Sequence, residues 1–312
     1  MSILNTSLCS SNGANTGVSD CPVDVKLLQF LIAVPSNFEL TEVQMASPET
    51  VMAALRAALI NDNPSLRIYP FPVQVTFTDN STDAAFQTFG SGSLAPVNDG
   101  MYDWTFQFTK GGLCLSNKLR KFNGNSNQKF LVVDGQGMLY GTKVGTSLKG
   151  IPANYIFTDK LKAATYETAT IYAYRVNFMP TYFNENIAFL KLNLVDLLGL
   201  NGLQDIVISN AAPRVTNVIK VKLTTGCAGI DMYDLYSTEL AAVGNFVVTE
   251  AGKNITITSV AADPNSKSFT ITLDATDPDY SVAGPFIVST APVSVLTAAG
   301  VVGYEGKPLT VA

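Results

Sequence analysis

The sequence predicts a mainly β protein: an antiparallel β-sandwich or barrel with one short helix, followed by a second, smaller β-sandwich. Three observations carry that prediction. Apolar and polar residues alternate with a period of two in four segments before residue 200, the pattern of antiparallel strands with unlike faces. One stretch, 48–61, has the period and the end signals of a helix. Beyond residue 211 short strand-like runs recur at close spacing, divided by turn residues.

The elements follow in chain order. Residues 1–22 are rich in Ser, Asn and Gly and predict a flexible N-terminal arm, of the kind that orders against a neighbouring subunit. The apolar run 26–34 predicts a strand. In the helix, Ser47 is the N-cap, Pro48 opens the first turn and Glu49 complements the dipole. Val51, Leu55 and Leu59 recur every four residues, and Asn61-Asp62-Asn63-Pro64 ends the run.

Period two then takes over. Val73, Val75 and Phe77 alternate with polar residues, as do Trp104, Phe106 and Phe108. The runs 171–178 and 187–192 alternate in the same way, and 129–141 reads as a hairpin turning at Asp134-Gly135. Residues 194–200 predict a single helical turn. The stretch 80–101 is long and full of turn residues; a loop of that length is functional or an assembly element, and a hairpin arm reaching a neighbour is the preferred reading.

With 312 residues the chain is about twice a typical domain. A boundary near 209–215 divides an assembly domain, 23–210, from a C-terminal domain, 211–312. In the latter, strands are expected at 217–224, 244–249, 254–260, 267–274 and 285–290. About 100 residues of short alternating strands indicate an immunoglobulin-like sandwich. The Cys…Trp…Cys core of antibody domains is missing, so the expectation concerns architecture alone.

Composition narrows the function. Charged residues make up 14% of the chain and apolar residues 47%, against about 25% charged in ordinary soluble domains. Such a surface is covered either by uncharged polar groups, here mostly Ser, Thr, Asn and Gly, or by another subunit. Net charge is −5, whereas a grip on phosphate backbones needs a clustered cationic footprint. The one dense cluster, Lys118, Arg120 and Lys121, reads as a solvated strand end or a subunit contact.

Histidine is absent, which removes the commonest general base and zinc ligand and the usual Ser-His and Cys-His pairs. No catalytic residue, cofactor or metal is therefore assigned, and the chain is read as a non-enzyme. Gly135-Gln136-Gly137 reads as a turn rather than a phosphate loop, and Gly90-Ser91-Gly92-Ser93 lacks the second flanking glycine of a nucleophile elbow, with no histidine in the chain to serve it. Asp274, Asp277 and Asp279 have the density of a calcium loop, with turn chemistry as the plainer alternative; Asp231 and Asp234 read as exposed turn residues. Asn80-Ser81-Thr82 and Asn254-Ile255-Thr256 match the glycosylation sequon without a secretory signal. The eight aromatics from Tyr155 to Phe183 (155, 157, 166, 172, 174, 178, 182 and 183) have only Lys160, Lys162 and Arg175 near them and read as core and subunit interface.

Cys9, Cys21, Cys114 and Cys227 are scattered and read as free thiols of a reducing cytosol, with a Cys9–Cys21 bridge as the alternative. The first residues show no basic targeting region, and no run of 18 apolar residues suggests a membrane span.

An arm, one short helix, a β-sandwich with the long 80–101 segment and an appended immunoglobulin-like domain together resemble the tail tube proteins of long-tailed bacteriophages. The stretches Gly244–Thr249, Thr256–Thr258 and Phe269–Leu273 are similar to the immunoglobulin-like domains appended to virion proteins. The resemblance implies self-assembly into stacked hexameric rings around a DNA channel, with only transient contact to DNA. It also implies other virion proteins as partners and a location in the virion after synthesis in the bacterial cytoplasm. It places Val73, Val75 and Phe77 in the sandwich core, and gives 80–101 and the arm the contact between rings. The rival readings are a capsid decoration protein, a tail terminator or another head or tail part. A bacterial surface adhesion module is the rival of a different class.

Overall fold

The structure is a computed structural model and describes residues 3–6, 25–90, 92–124, 128–167, 169–184, 186–282 and 284–311. The chain is mainly β, with short helices. It separates into two compact units: Met1–Leu59 with Asn63–Asn201, and Gly202–Ala312 with Ile60–Asp62.

Fourteen strands belong to the first unit: β1 (Asn5–Thr6), β2 (Leu28–Val34), β3 (Glu39–Leu40), β4 (Tyr69–Pro70), β5 (Thr76–Asp79), β6 (Ala85–Thr88), β7 (Leu94–Asn98), β8 (Tyr102–Phe108), β9 (Lys129–Asp134), β10 (Met138–Val144), β11 (Ser147–Lys149), β12 (Ile151–Thr158), β13 (Tyr172–Phe178) and β14 (Ile187–Lys191). Its helices are α1 (Pro48–Leu59), α2 (Gly112–Leu119), α3 (Pro180–Asn184) and α4 (Leu194–Leu198).

The hub of this unit is β9. One edge pairs along its length with β2. The other edge is shared: Val132 and Val133 pair with β10, while Lys129 and Phe130 pair with β12. The sheet therefore forks. One branch runs through β10 and β14 to β1, and the other runs β12-β13-β8-β5. Being central, β2 and β9 are buried on both faces, which explains why both read as unbroken apolar runs. The core is aromatic: Phe71, Trp104, Phe106, Phe108, Phe130, Tyr174 and Phe178 form one buried cluster.

Helix α1 forms where its cap signals place it. Thr50 N–H donates to Ser47 Oγ at 3.3 Å and Ser47 N–H donates to Thr50 Oγ1 at 3.0 Å, a reciprocal cap. Its apolar stripe, Val51, Met52, Leu55 and Leu59, is buried. Of the expected arm, Asn5 and Thr6 pair with Phe189 and Ala188 of the same chain; residues 7–22 lie outside the described residues.

The second unit contains β15 (Gln204–Val215), β16 (Val218–Thr225), β17 (Phe246–Glu250), β18 (Lys253–Ile255), β19 (Ile257–Asp263), β20 (Ser268–Leu273), β21 (Phe286–Thr290), β22 (Tyr304–Gly306) and β23 (Leu309–Val311), with α5 (Met232–Tyr236) and α6 (Val293–Ala298). One sheet has the order β19-β20-β16-β15-β22 and the other β18-β17-β21-β23. The first contains the A-B-E-D order of an immunoglobulin sandwich as β15-β16-β20-β19, and the second reads C′-C-F-G. The short β22 adds in parallel to the outer edge of β15. Ile219, Val221, Phe269 and Ile271 of one sheet share a core with Phe246, Val248, Phe286 and Val288 of the other.

Three expectations need correction. The expected boundary at 209–215 falls inside β15, which pairs with β16 from Ile206 to Val215. Ser209-Asn210-Ala211-Ala212-Pro213 has the composition of a linker, but register shifts between Asn210 and Val215 absorb it, and past Ile206 the outer edge is no longer paired with β22, where a proline is tolerated. The expected strand 254–260 is two strands in different sheets, because the chain crosses between sheets at Thr256. Val73 and Val75 are not core: they are 40% and 58% exposed. Strand β5 begins only at Thr76, so of the three alternating residues Phe77 alone packs on the core.

Candidate assembly surface

The stretch 80–101 forms the outer part of one long hairpin. Its base is β5 paired with β8, from Thr76↔Gln107 to Asp79↔Trp104. Pairing continues through a Thr82↔Met101 bridge into β6 and β7, from Ala85↔Asn98 to Thr88↔Leu94. The turn closes with Phe89 N–H donating to Ser93 O at 2.9 Å and Gly92 N–H to Phe89 O at 2.8 Å. Gly90, Gly92 and Ser93 are thus tip-turn residues, and Ser91 lies outside the described residues.

The base is anchored by rings and by charge. Phe77 packs edge-on to Phe106 and Trp104, at 5.3 and 6.2 Å between centroids. Asp103, 7% exposed, receives Arg175 Nε at 2.7 Å and a second guanidinium hydrogen bond on its other oxygen. Tyr155 Oη also donates to Asp103, at 3.1 Å. The hydrogen bond to Asp103 raises the Arg175 pKa, and burial, followed by the charge of Asp103, raises that of Tyr155. Both groups therefore stay donors at neutral pH. Asp103 N–H donates to Ser81 Oγ at 3.1 Å, and Asn80 Nδ2 to Thr105 Oγ1 at 2.9 Å. Gly100 sets the junction between base and tip: its φ is +79°, and a Cβ there would lie 2.1 Å from Thr82 O, so any other residue would force the Thr82–Met101 pairing apart.

The tip has no such anchor. Every described residue from Thr78 to Asp99 is exposed except the half-buried Ala95. Large apolar groups stand in the open: Phe86 is 61%, Phe89 49%, Leu94 66% and Val97 64% exposed. Phe86 lies opposite Pro96 and Thr88 opposite Leu94, so these four side chains share one face. A two-stranded ribbon is marginal in water by itself. One carrying an exposed apolar face has the form of a surface that another body covers.

The other candidate groups do not converge on a site. Lys118, Arg120 and Lys121 lie on α2 and the single helical turn Arg120–Phe122, where cations complement a helix C-terminus, rather than at a strand end. Asp134 receives Gln136 N–H, Met138 N–H and Tyr140 Oη, which makes Gly135-Gln136-Gly137 a hairpin turn. Asp274 receives the amide and hydroxyl of Thr276, and Asp277 receives the amides of Asp279 and Thr256. These hydrogen bonds lower the pKa of both carboxylates. Asp279 pairs with Lys253. The triplet is thus a strap over the sheet-to-sheet crossing at Thr256. Asp231 caps α5 and pairs with Lys222, while Asp234 pairs with Lys267. No group of three metal-ligating side chains occurs among the described residues.

Tyr172, Tyr174 and Phe178 are core residues, whereas Phe157 and Tyr166 are exposed; the side chain of Phe183 lies outside the described residues. Asn80 and Asn254 of the two sequons are exposed. Cys114 and Cys227 are disulfide-bonded, which corrects the expectation of free thiols, because scattered spacing carries no information on pairing. Cys9 and Cys21 lie outside the described residues. No described helix is long and apolar enough to cross a membrane. No protein-family model matches the chain, and a search of the curated proteins gives no match.

Proposed function

We propose that this chain is a structural subunit that assembles with copies of itself, as a virion protein of the phage tail tube type. The observation that carries the reading is the 80–101 hairpin, which presents Phe86, Phe89, Leu94 and Val97 to solvent on a ribbon whose base is locked into the core. A monomer gains nothing from that geometry, while a neighbouring subunit gains an apolar contact. The second unit, a compact sandwich, suits a decorating role outside the assembly. A net charge of −5 suits a channel wall that lets DNA pass without holding it.

The test is negative-stain microscopy and sedimentation of the purified chain and of a variant lacking residues 83–98. Hollow rods from the intact chain and a folded monomer from the deletion are expected. Rods from the deletion variant would refute the hairpin's role.

One observation favours a second reading. Disulfide-bonded Cys114 and Cys227 suit an oxidising location, and so a bacterial surface module. A strictly monomeric chain found in the cell-envelope fraction would support it.

A further inference from the structure

The first unit carries a second projecting surface, and it lies at the opposite end of the same sheet. Strand β8 runs from Tyr102, opposite Phe178, to Phe108, opposite Tyr172. The 80–101 hairpin leaves from the Tyr102 end. At the Phe108 end two segments leave together: Thr109–Phe122, with α2, and the 159–171 connection between β12 and β13. Their roots meet, since Thr158 N–H at the end of β12 donates to Asn123 Oδ1 just after the Arg120–Phe122 turn, at 2.8 Å. Seven residues of strand set the two ends about 20 Å apart.

The two ends differ in charge and share apolar character. No Lys or Arg occurs between Arg67 and Lys110, so the hairpin's only charges are carboxylates. Asp83 and Asp99 stand exposed just past the Thr82↔Met101 bridge, at the root of the outer ribbon. The far end exposes Lys110, Arg120, Lys121, Lys160 and Lys162 against Asp159 and Glu167. It also exposes Leu113, Leu161 and a fully solvated Tyr166. An acidic, apolar projection and a basic, apolar receptor at opposite ends of one sheet are complementary to each other, not to themselves. Copies joined this way repeat head to tail, the heterologous contact that builds open stacks rather than closed pairs.

We infer that the acidic hairpin of one copy docks on the basic end of the next, against Lys110, Arg120, Lys121, Lys160 and Lys162. The inference rests on the self-assembly reading and names the partner surface within it.

The test uses charge reversal in the full chain, with assembly followed by sedimentation velocity and folding by thermal unfolding. Asp83→Lys with Asp99→Lys, and separately Lys160→Glu with Lys162→Glu, should each raise the concentration needed for assembly about tenfold. The chain carrying all four substitutions should return to within about threefold of the natural chain, because the pairs are swapped rather than lost. If the Lys→Glu chain assembles normally while the Asp→Lys chain does not, the hairpin docks elsewhere: the inference falls and the self-assembly reading survives. If the Lys→Glu chain assembles normally and instead loses binding to a short fluorescent DNA duplex, the basic end is a nucleic-acid surface and the inference falls. If the natural chain stays monomeric at every concentration, both the reading and the inference fall.

Discussion

The base and the tip of the long hairpin are one continuous ribbon with the same antiparallel pairing, yet they are different kinds of structure. At the base, between Thr76–Asp79 and Tyr102–Phe108, alternate side chains enter an aromatic core and a buried carboxylate meets a guanidinium. Beyond the Thr82↔Met101 bridge the pairing continues, but almost nothing is buried. Strand pairing fixes the shape of a ribbon, and burial fixes its stability. The tip is therefore the part of this unit expected to open first, and the part that the proposed assembly would cover.

The comparison breaks most visibly at the base. Phe106→Ala removes a fully buried ring packed on Phe77 and Tyr174 and is expected to cost about 3–5 kcal/mol, read by denaturant unfolding. Phe86→Ser at the tip should stay within about 0.5 kcal/mol in the same experiment while weakening assembly. A large cost at both positions would show that the tip is anchored after all.

A smaller loss is expected at the polar lock. Asp103→Ala strips Arg175 and Tyr155 of their acceptor and should cost about 1–3 kcal/mol, at the lower end because Arg175 is partly exposed. Gly100→Ala separates the two regions directly. It should leave global unfolding within about 1–2 kcal/mol of the natural chain but speed amide exchange at Thr82 and Met101, whose N–H groups bond across the junction.

How much of this was legible depends on whether the signal is local. Helix α1 was readable because Ser47, Pro48 and a four-residue apolar repeat sit within a few residues of one another. The 80–101 segment was readable as a hairpin from its length and turn residues, and the immunoglobulin-like architecture from strand spacing. Helix α2 was not, since Gly111-Gly112 opens it without a side-chain cap and eight residues carry too little periodicity. The exposure of Val73 and Val75 was hidden because alternation marks two faces without saying whether either is covered. The complementarity of the sheet's two ends was invisible as well: Asp83 and Lys160 are far apart in sequence, and only the β8–β13–β12 register places them at opposite ends.

The smallest expected effect lies in the second unit, which shows what a loop looks like when it is anchored. Asp274 and Asp277 strap the crossing at Thr256, and hydrogen bonds hold their pKa below the ordinary 3.8. Their contribution is complete above that value and is lost as pH falls through the lowered folded pKa. Thermal unfolding of this unit should therefore be flat from neutral pH to about 4 and decline below it. Asp277→Asn should flatten that decline and leave assembly untouched.

The most direct test of the central claim is a single chain carrying Phe86→Ser, Phe89→Ser and Leu94→Ser, compared with the natural chain by thermal unfolding and by sedimentation in the same buffer. The account predicts complete loss of high-mass species, with an unfolding midpoint matching that of the natural chain at concentrations below its assembly. Rods or rings persisting with all three apolar groups removed would contradict it.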